Sequence, residues 1–320
     1  MTDLKVKIGD KIFDNPLWVA SGTFGYGEEF ADFLDLAKVG AIVAKTVTFR
    51  EREGNPPPRT VETASGLLNS IGLENKGIED FKKKRLPFLR GTGSKVIASI
   101  AGEKKDEFAG CAGELSGEFE PDALEVNLSC PNIGHDTEKY ALIAQDARTS
   151  SAVIKAVRKR TGCPLIAKLT PNVTDITEIA KAVEEAGADA VALVNTYMGM
   201  SVDAETMRPV LGNMTGGLSG PAIKPLALKA VRDTYKKVRI PVIGIGGIMT
   251  GTDVAEFMLA GASAVQLGTS NLIDPSSYIR VLGEFEMYLQ RHEITRASDL
   301  TGKLRERQDN AGTGKAHSRA

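Results

Sequence analysis

A thiol, a hydroxyl and two amides fall within six residues in the run Asn127-Leu128-Ser129-Cys130-Pro131-Asn132, directly after a stretch of apolar chain. Residues 123–128 read as a β-strand. Pro131 ends it, because proline has no backbone N–H and disfavours helix at the residue before it. Cys130 is therefore expected at a strand mouth. A free thiol has a pKa of ~8.5, so a small fraction is thiolate near neutral pH and modest tuning makes it a usable base or nucleophile. An isolated cysteine is more often a buried structural residue. The flanking amides and the proline favour chemistry here.

Two lysines follow a similar logic. Lys168 ends the strand-like "PLIAKLT" and Lys45 stands in "AIVAKTVTF". A lone ammonium inside an apolar strand is costly without a partner, so each is expected to face an anion or a charge that develops during reaction. Either could alternatively form a Schiff base, as in barrel aldolases. Asn69, Asn127 and Asn195 offer paired donors and acceptors suited to the amide edges of a pyrimidine-like ring. Ser21, Lys45 with Thr46, Ser99, Asn127 with Cys130, Lys168 and Asn195 with Thr196 follow the first six strand-like runs. Gly246 with Gly247 and Gly268 with Thr269 follow the last two. Such glycines expose backbone N–H groups able to wrap a phosphate. A phosphorylated ring cofactor, a mononucleotide such as FMN, satisfies both halves of this set. "GIGGIMTG" lacks the third glycine of a dinucleotide fingerprint.

The elements that must position these groups repeat a βα rhythm. Strands are expected at 17–20, 41–45, 96–100, 124–128, 165–169, 190–195, 242–245 and 264–267, with amphipathic helices at 28–36, 104–115, 150–160, 176–186, 226–236 and 253–260. The strands are near-continuous apolar runs, as when both faces are covered, and eight such units favour closure into a single-domain (β/α)8 TIM barrel over an open doubly wound sheet. Polar residues or glycines at the C-terminal strand ends point the same way, since barrel enzymes gather their active sites there. Residues 50–76 and 197–221 are too long for simple links and are expected to be active-site loops. Residues 1–301 read as the FMN-binding barrel domain and 302–320 as a disordered tail.

Composition excludes several classes. With 320 residues, 42% hydrophobic and 25% charged residues and a formal charge of -1, the chain is a globular protein with no electrostatic pull toward nucleic acid. No apolar run approaches the ~20 residues needed to span a bilayer and no signal peptide precedes "LKVKIGDKIF", so a cytoplasmic location is expected. Cys111, Cys130 and Cys163 form no metal-ligand spacing, and His135, His292 and His317 are equally dispersed, so no metal site is expected.

The segments "ASGTFGYGEEF", "KTVTFREREGNPPPR", "LLNSIGLEN", "NLSCPN", "GGLSGPAIKP", "IPVIGIGGI" and "VQLGTSN" together resemble the motifs of class 1 dihydroorotate dehydrogenases, in the right order and over most of the chain. The opening motifs look closest to subtype B. The resemblance implies an FMN barrel that oxidises dihydroorotate to orotate in pyrimidine synthesis. It also implies a homodimer joined in a heterotetramer by a second subunit, which carries FAD and a [2Fe–2S] cluster and passes electrons to NAD. By the same resemblance Cys130 matches the base that removes a proton from C5 of dihydroorotate. Lys45, Asn69, Asn127, Asn195 and Thr196 match orotate-binding groups, and Ser70, Ile71, Gly72 and Leu73 match the loop against the substrate. Ser21, Lys45, Thr46, Asn127, Lys168, Val194, Gly220, Gly246, Gly247, Gly268 and Thr269 match FMN contacts. Two departures stand out. Ser99 replaces an asparagine that subtype B enzymes usually offer to the flavin. After Cys130 a glycine-rich stretch gives way to "HDTEKYALIAQDA", with Asp146 keeping one role, which leaves open another dihydropyrimidine as substrate. A flavin-free lysine-imine aldolase and a non-catalytic binding subunit are the further alternatives.

Overall fold

The computed structural model describes residues 2–129 and 145–305. Its centre is a closed barrel of eight parallel strands: Leu17–Val19 (β1), Ala41–Val43 (β2), Lys95–Ile100 (β3), Ala123–Asn127 (β4), Leu165–Lys168 (β5), Ala190–Leu193 (β6), Val242–Ile245 (β7) and Ala262–Leu267 (β8). Each strand pairs with its neighbour in sequence, and β8 closes on β1 with Val265 opposite Leu17. All eight expected strands are present, and the open sheet is excluded.

The near-continuous apolar strands have two buried faces. Outward side chains such as Leu17, Ile42, Leu124, Val126, Leu165 and Val265 join the helices in one large core. Inward ones, among them Trp18, Val43, Ile97, Ile166, Ile243 and Ala264, form a second core inside the barrel. A hairpin of Val6–Ile8 and Lys11–Phe13 contributes Val6, Ile8 and Phe13 to that inner core, and the Phe13 ring lies 4.6 Å from Trp18. The N-terminal end of the barrel is thus packed with apolar side chains.

The helices between strands are set by local caps. Asp146 accepts from the N–H of Thr149 at the start of helix Ala147–Arg158, and Asp175 does the same for Ile176–Glu185 through Thr177. Thr250 and Asp253 form a reciprocal capping box on Gly251–Ala260. Asp146, expected to keep one role of the family's loop, makes the first of these caps, at the first described residues after that segment. Residues 28–36, expected as a helix, form instead two short 3-10 turns, Glu28–Phe30 and Leu36–Lys38. Asp35 starts the second by accepting from Ala37, so the chain is re-initiated where a helix would have continued.

The two long connections are not irregular. Thr60–Thr63, Gly66–Asn69, Gly216–Ser219 and Tyr197–Gly199 pair antiparallel into one four-stranded sheet, in which Asn69 lies opposite Gly217. The connection after β2 is thereby joined to the one after β6. At the other end of the chain, the expected tail stays attached at first: Gly302 donates to Met258 O and Leu304 to Leu259 O. Residues 306–320 of that tail lie outside the described residues, as does Cys130.

Candidate active site

The C-terminal mouth of the barrel opens into a cavity of about 280 Å³, near the lower end of the ~300–1,000 Å³ usual for small-molecule sites. Most residues expected from sequence meet there. Ser21, Lys45 and Thr46 enter from β1 and β2, Asn127 and Lys168 from β4 and β5, and Val194, Asn195 and Thr196 from the end of β6. Asn69, Ile71, Gly72 and Leu73 approach from above on the antiparallel sheet and its extension, while Gly220, Gly246, Gly247, Gly268 and Thr269 line the opposite side. Two expected residues do not reach the cavity. Ser99 is fully buried beneath it, and its hydroxyl bonds Thr46 and Glu125. Ser70 lies behind the lining loop, its hydroxyl bonded to Asn55 and Asn213 and its N–H to Arg59 O, so it braces the loop instead of lining the cavity.

The loop above the cavity depends on a glycine. Gly72 has φ +77°, and a Cβ there would lie 2.7 Å from the backbone nitrogen of Asn55. Leu73 beside it also takes a left-handed φ of 56°. Only glycine holds such a turn cheaply against a neighbouring backbone.

The cavity floor is a continuous polar chain. Asn195 Nδ2 donates to Ser129 Oγ at 2.7 Å, Ser129 Oγ donates to Asn127 Oδ1 at 2.9 Å, and Asn127 Nδ2 donates to Thr46 Oγ1 at 3.2 Å. Thr46 also touches Ser21 Oγ at 3.0 Å and Ser99 Oγ at 2.8 Å. Ser99 donates to Glu125 Oε1 at 3.3 Å, Lys168 Nζ reaches the same oxygen at 3.4 Å, and Gln266 Nε2 donates to Oε2 at 2.9 Å. Glu125 is fully buried and Lys168 nearly so, so the partner that burial demands of Lys168 is this carboxylate. Lys45, with no direct ion pair among the described residues, is pushed below the ordinary lysine range. Burial is the main cause, Glu74 opposes it, and Arg59 adds to it.

The residues present fit a phosphorylated flat ring. Gly247 has φ +73°, and a Cβ on it would sit 2.7 Å from Lys224 Cβ, so the backbone itself forms that wall. Gly22 has nothing within 4 Å of its Cβ position, which leaves open space beside Ser21. A phosphate therefore has a backbone cradle on one side, and a ring has the Lys168 ammonium and Asn127 amide on the other.

The family model for dihydroorotate dehydrogenase matches residues 3–289. The chain belongs to the dihydroorotate dehydrogenase family. It is similar to the protein named dihydroorotate dehydrogenase B (NAD(+)), catalytic subunit, of Bacteroides thetaiotaomicron, with 47% identity over 95% of this chain and 99% of that one. The protein of the same name from Geotalea uraniireducens is 49% identical over 94% and 98%. Among solved structures, a dihydroorotate dehydrogenase of Eimeria tenella in complex with ferulenol superposes with a TM-score of 0.78 at 26% identity, covering 94% of this chain and 88% of that one.

Within this dihydroorotate dehydrogenase family member, Glu125 and Gln266 lie in mid-strand, away from the strand ends where site residues are expected. The signal was present, since both are ionisable or amide side chains in mid-strand, in "ALEVN" and "ASAVQL". The other two thiols are inert: Cys111 and Cys163 are buried and each is pushed up to about 12 by desolvation. Among the described residues no helix is long and apolar enough to cross a membrane.

Proposed function

We propose that the chain is the FMN-binding catalytic subunit of an enzyme that oxidises dihydroorotate to orotate in pyrimidine biosynthesis. The observation that carries this reading is the convergence of Lys45, Asn69, Asn127 and Asn195 on one cavity whose other wall is built from glycine backbone. FMN bound there supplies a two-electron acceptor for the hydride that leaves C6 of the substrate. The asparagine amides hold the pyrimidine ring by donating to its carbonyls and accepting from its N–H groups, and the Lys45 ammonium faces the carboxylate of this anion. The antiparallel sheet lines the cavity through Thr60, Leu67, Asn69 and Ser219.

Cys130 is the proposed base for the C5 proton. It follows Ser129 directly in the chain, and Ser129 is fixed between Asn127 and Asn195 on the cavity floor. The name shared by the two bacterial relatives supports a separate partner subunit, so the further proposal is a heterotetramer, built on a homodimer, in which a chain with FAD and [2Fe–2S] delivers electrons to NAD in the cytoplasm. A second reading draws on Lys45, whose lowered pKa leaves more free amine for imine formation.

An anaerobic absorbance titration separates these readings. The purified chain is expected to be yellow, and dihydroorotate is expected to bleach its visible flavin band while dihydrouracil is not. Colourless protein that a keto acid and borohydride inactivate together defeats the flavin reading and favours the imine. NAD reduction that appears only when an FAD and iron–sulfur protein is added supports the partner; reduction by the chain alone overturns it.

A further inference from the structure

The floor of the cavity contains one buried acid that the reaction described above does not use. Glu125 sits in the middle of β4 with no exposure, and among the described residues its carboxylate accepts from the Lys168 ammonium, the Ser99 hydroxyl and the Gln266 amide nitrogen. The Lys168 ammonium is the charge-matched partner of this carboxylate, and the Ser99 and Gln266 contacts add two donors to it. The Gln266 amide nitrogen donates to Glu125 Oε2 at 2.9 Å, while its amide oxygen has no hydrogen-bond partner among the described residues.

The direction of the bond between Thr46 and Ser99 then follows from this carboxylate. Ser99 has one hydrogen and gives it to Glu125, so at the 2.8 Å contact Thr46 must be the donor and Ser99 the acceptor. Thr46, having spent its hydrogen, accepts from Asn127 Nδ2, which leaves Asn127 Oδ1 to accept from Ser129, and the Ser129 oxygen to accept from Asn195 Nδ2. Backbone groups set the same orientation from above, since the Ser129 N–H donates to Asn127 Oδ1 at 3.2 Å and the Thr196 N–H donates to Asn195 Oδ1 at 2.8 Å. Lys168 is tied to the same carboxylate and lines the cavity.

We propose that Glu125 is a positioning residue for the cofactor end of the site: its buried carboxylate pairs with the Lys168 ammonium aimed at the cavity and sets the direction of the Thr46–Ser99 hydrogen bond. The proposal rests on the FMN reading for what Lys168 faces, but not for the pairing itself. It also explains why serine suffices at position 99. The hydroxyl there serves Glu125 from below the cavity and has no need to reach a cofactor.

The test compares FMN dissociation constants of the full-length chain, Glu125→Gln, Lys168→Met and the double variant across pH. The native chain is expected to hold FMN with little change between about pH 6 and pH 9. Glu125→Gln is expected to weaken about tenfold over that range, because an unpaired buried ammonium gives up its proton as pH rises. In the Lys168→Met background the same Glu125→Gln change is expected to add no pH dependence. A pH-independent loss, no loss, or an equal effect with and without Lys168 overturns the proposal, since each describes mere packing. If Glu125→Gln does not fold, nitrogen-15 NMR of the native, flavin-stripped chain decides. A Lys168 side-chain resonance that stays in the ammonium range through about pH 9 supports the pairing, and titration near neutrality overturns it. A native chain that binds no FMN sinks the cofactor reading while leaving that NMR result to stand alone.

Discussion

The two ends of the barrel interior are made of the same strands yet obey different rules. Toward the N-terminal end, Trp18, Val43, Ile97, Ile166 and Ile243 meet Val6, Ile8 and Phe13 of the plugging hairpin in an apolar core. Toward the C-terminal end, inward positions on β3, β4, β5 and β8 carry Ser99, Glu125, Lys168 and Gln266, and the cavity opens above them. A step of two residues along a strand, from Ile97 to Ser99 or from Ile166 to Lys168, crosses the boundary. Stability is concentrated on one side of it and chemistry on the other, which is the division expected of barrel enzymes.

That division can be broken from either side. Cys130→Ala is expected to lower dihydroorotate turnover by ~10²–10⁴, as loss of a placed base does, while the melting temperature and flavin content stay near native; equal turnover in variant and native chain defeats the mechanism. Trp18→Ala is the opposite experiment. Removing a large, fully buried ring is expected to cost about 3–5 kcal/mol in denaturant unfolding, with flavin affinity of the remaining folded chain little changed. Strong loss of flavin affinity at unchanged stability would show that the lower core also shapes the site.

Gly247→Ala probes the cradle. Its positive φ and the 2.7 Å approach to Lys224 Cβ predict about 1–2 kcal/mol of strain and a roughly tenfold weaker hold on FMN by equilibrium dialysis, with orotate binding less affected. The smallest effect concerns Lys45. Its ammonium, held below the usual lysine range by burial, is lost earlier as pH rises, so orotate affinity of the flavin-loaded chain is expected to fall on approach to pH 10.5 from below. Lys45→Met is expected to flatten that limb, and a limb unchanged in the variant assigns the titration to another group.

The barrel was legible because its strands are short apolar runs separated by helical periods, and this pattern depends on local chain alone. Cavity residues at strand ends were legible for the same reason, since a polar group or glycine after an apolar run marks the mouth. What stayed hidden depends on partners far away in sequence. The pairing of Asn69 with Gly217 spans more than half the residues between β2 and β7, and no periodicity in either glycine-rich segment announces it. Residues 28–36 misled because their apolar spacing suits a helix, while Gly27 in a left-handed turn and the Asp35 cap favour two separate 3-10 turns. Ile78–Asp80, Phe81–Arg85 and Leu86–Gly91 form an almost continuous helical path where no element was expected, with Lys82 buried between Glu79 and Glu114.

The sheet that sews the connection after β2 to the one after β6 also restricts how descendants of this gene can drift. Side chains alternate along a strand, so inserting one residue within Gly66–Asn69 would turn Asn69 away from the cavity and shift every rung shared with Gly216–Ser219. Length changes can accumulate at the free turn near Val202–Asp203 and Arg208–Pro209, where the ribbon pairs only with itself. Homologous genes should therefore carry their insertions at that outer turn and almost none between residues 66 and 69.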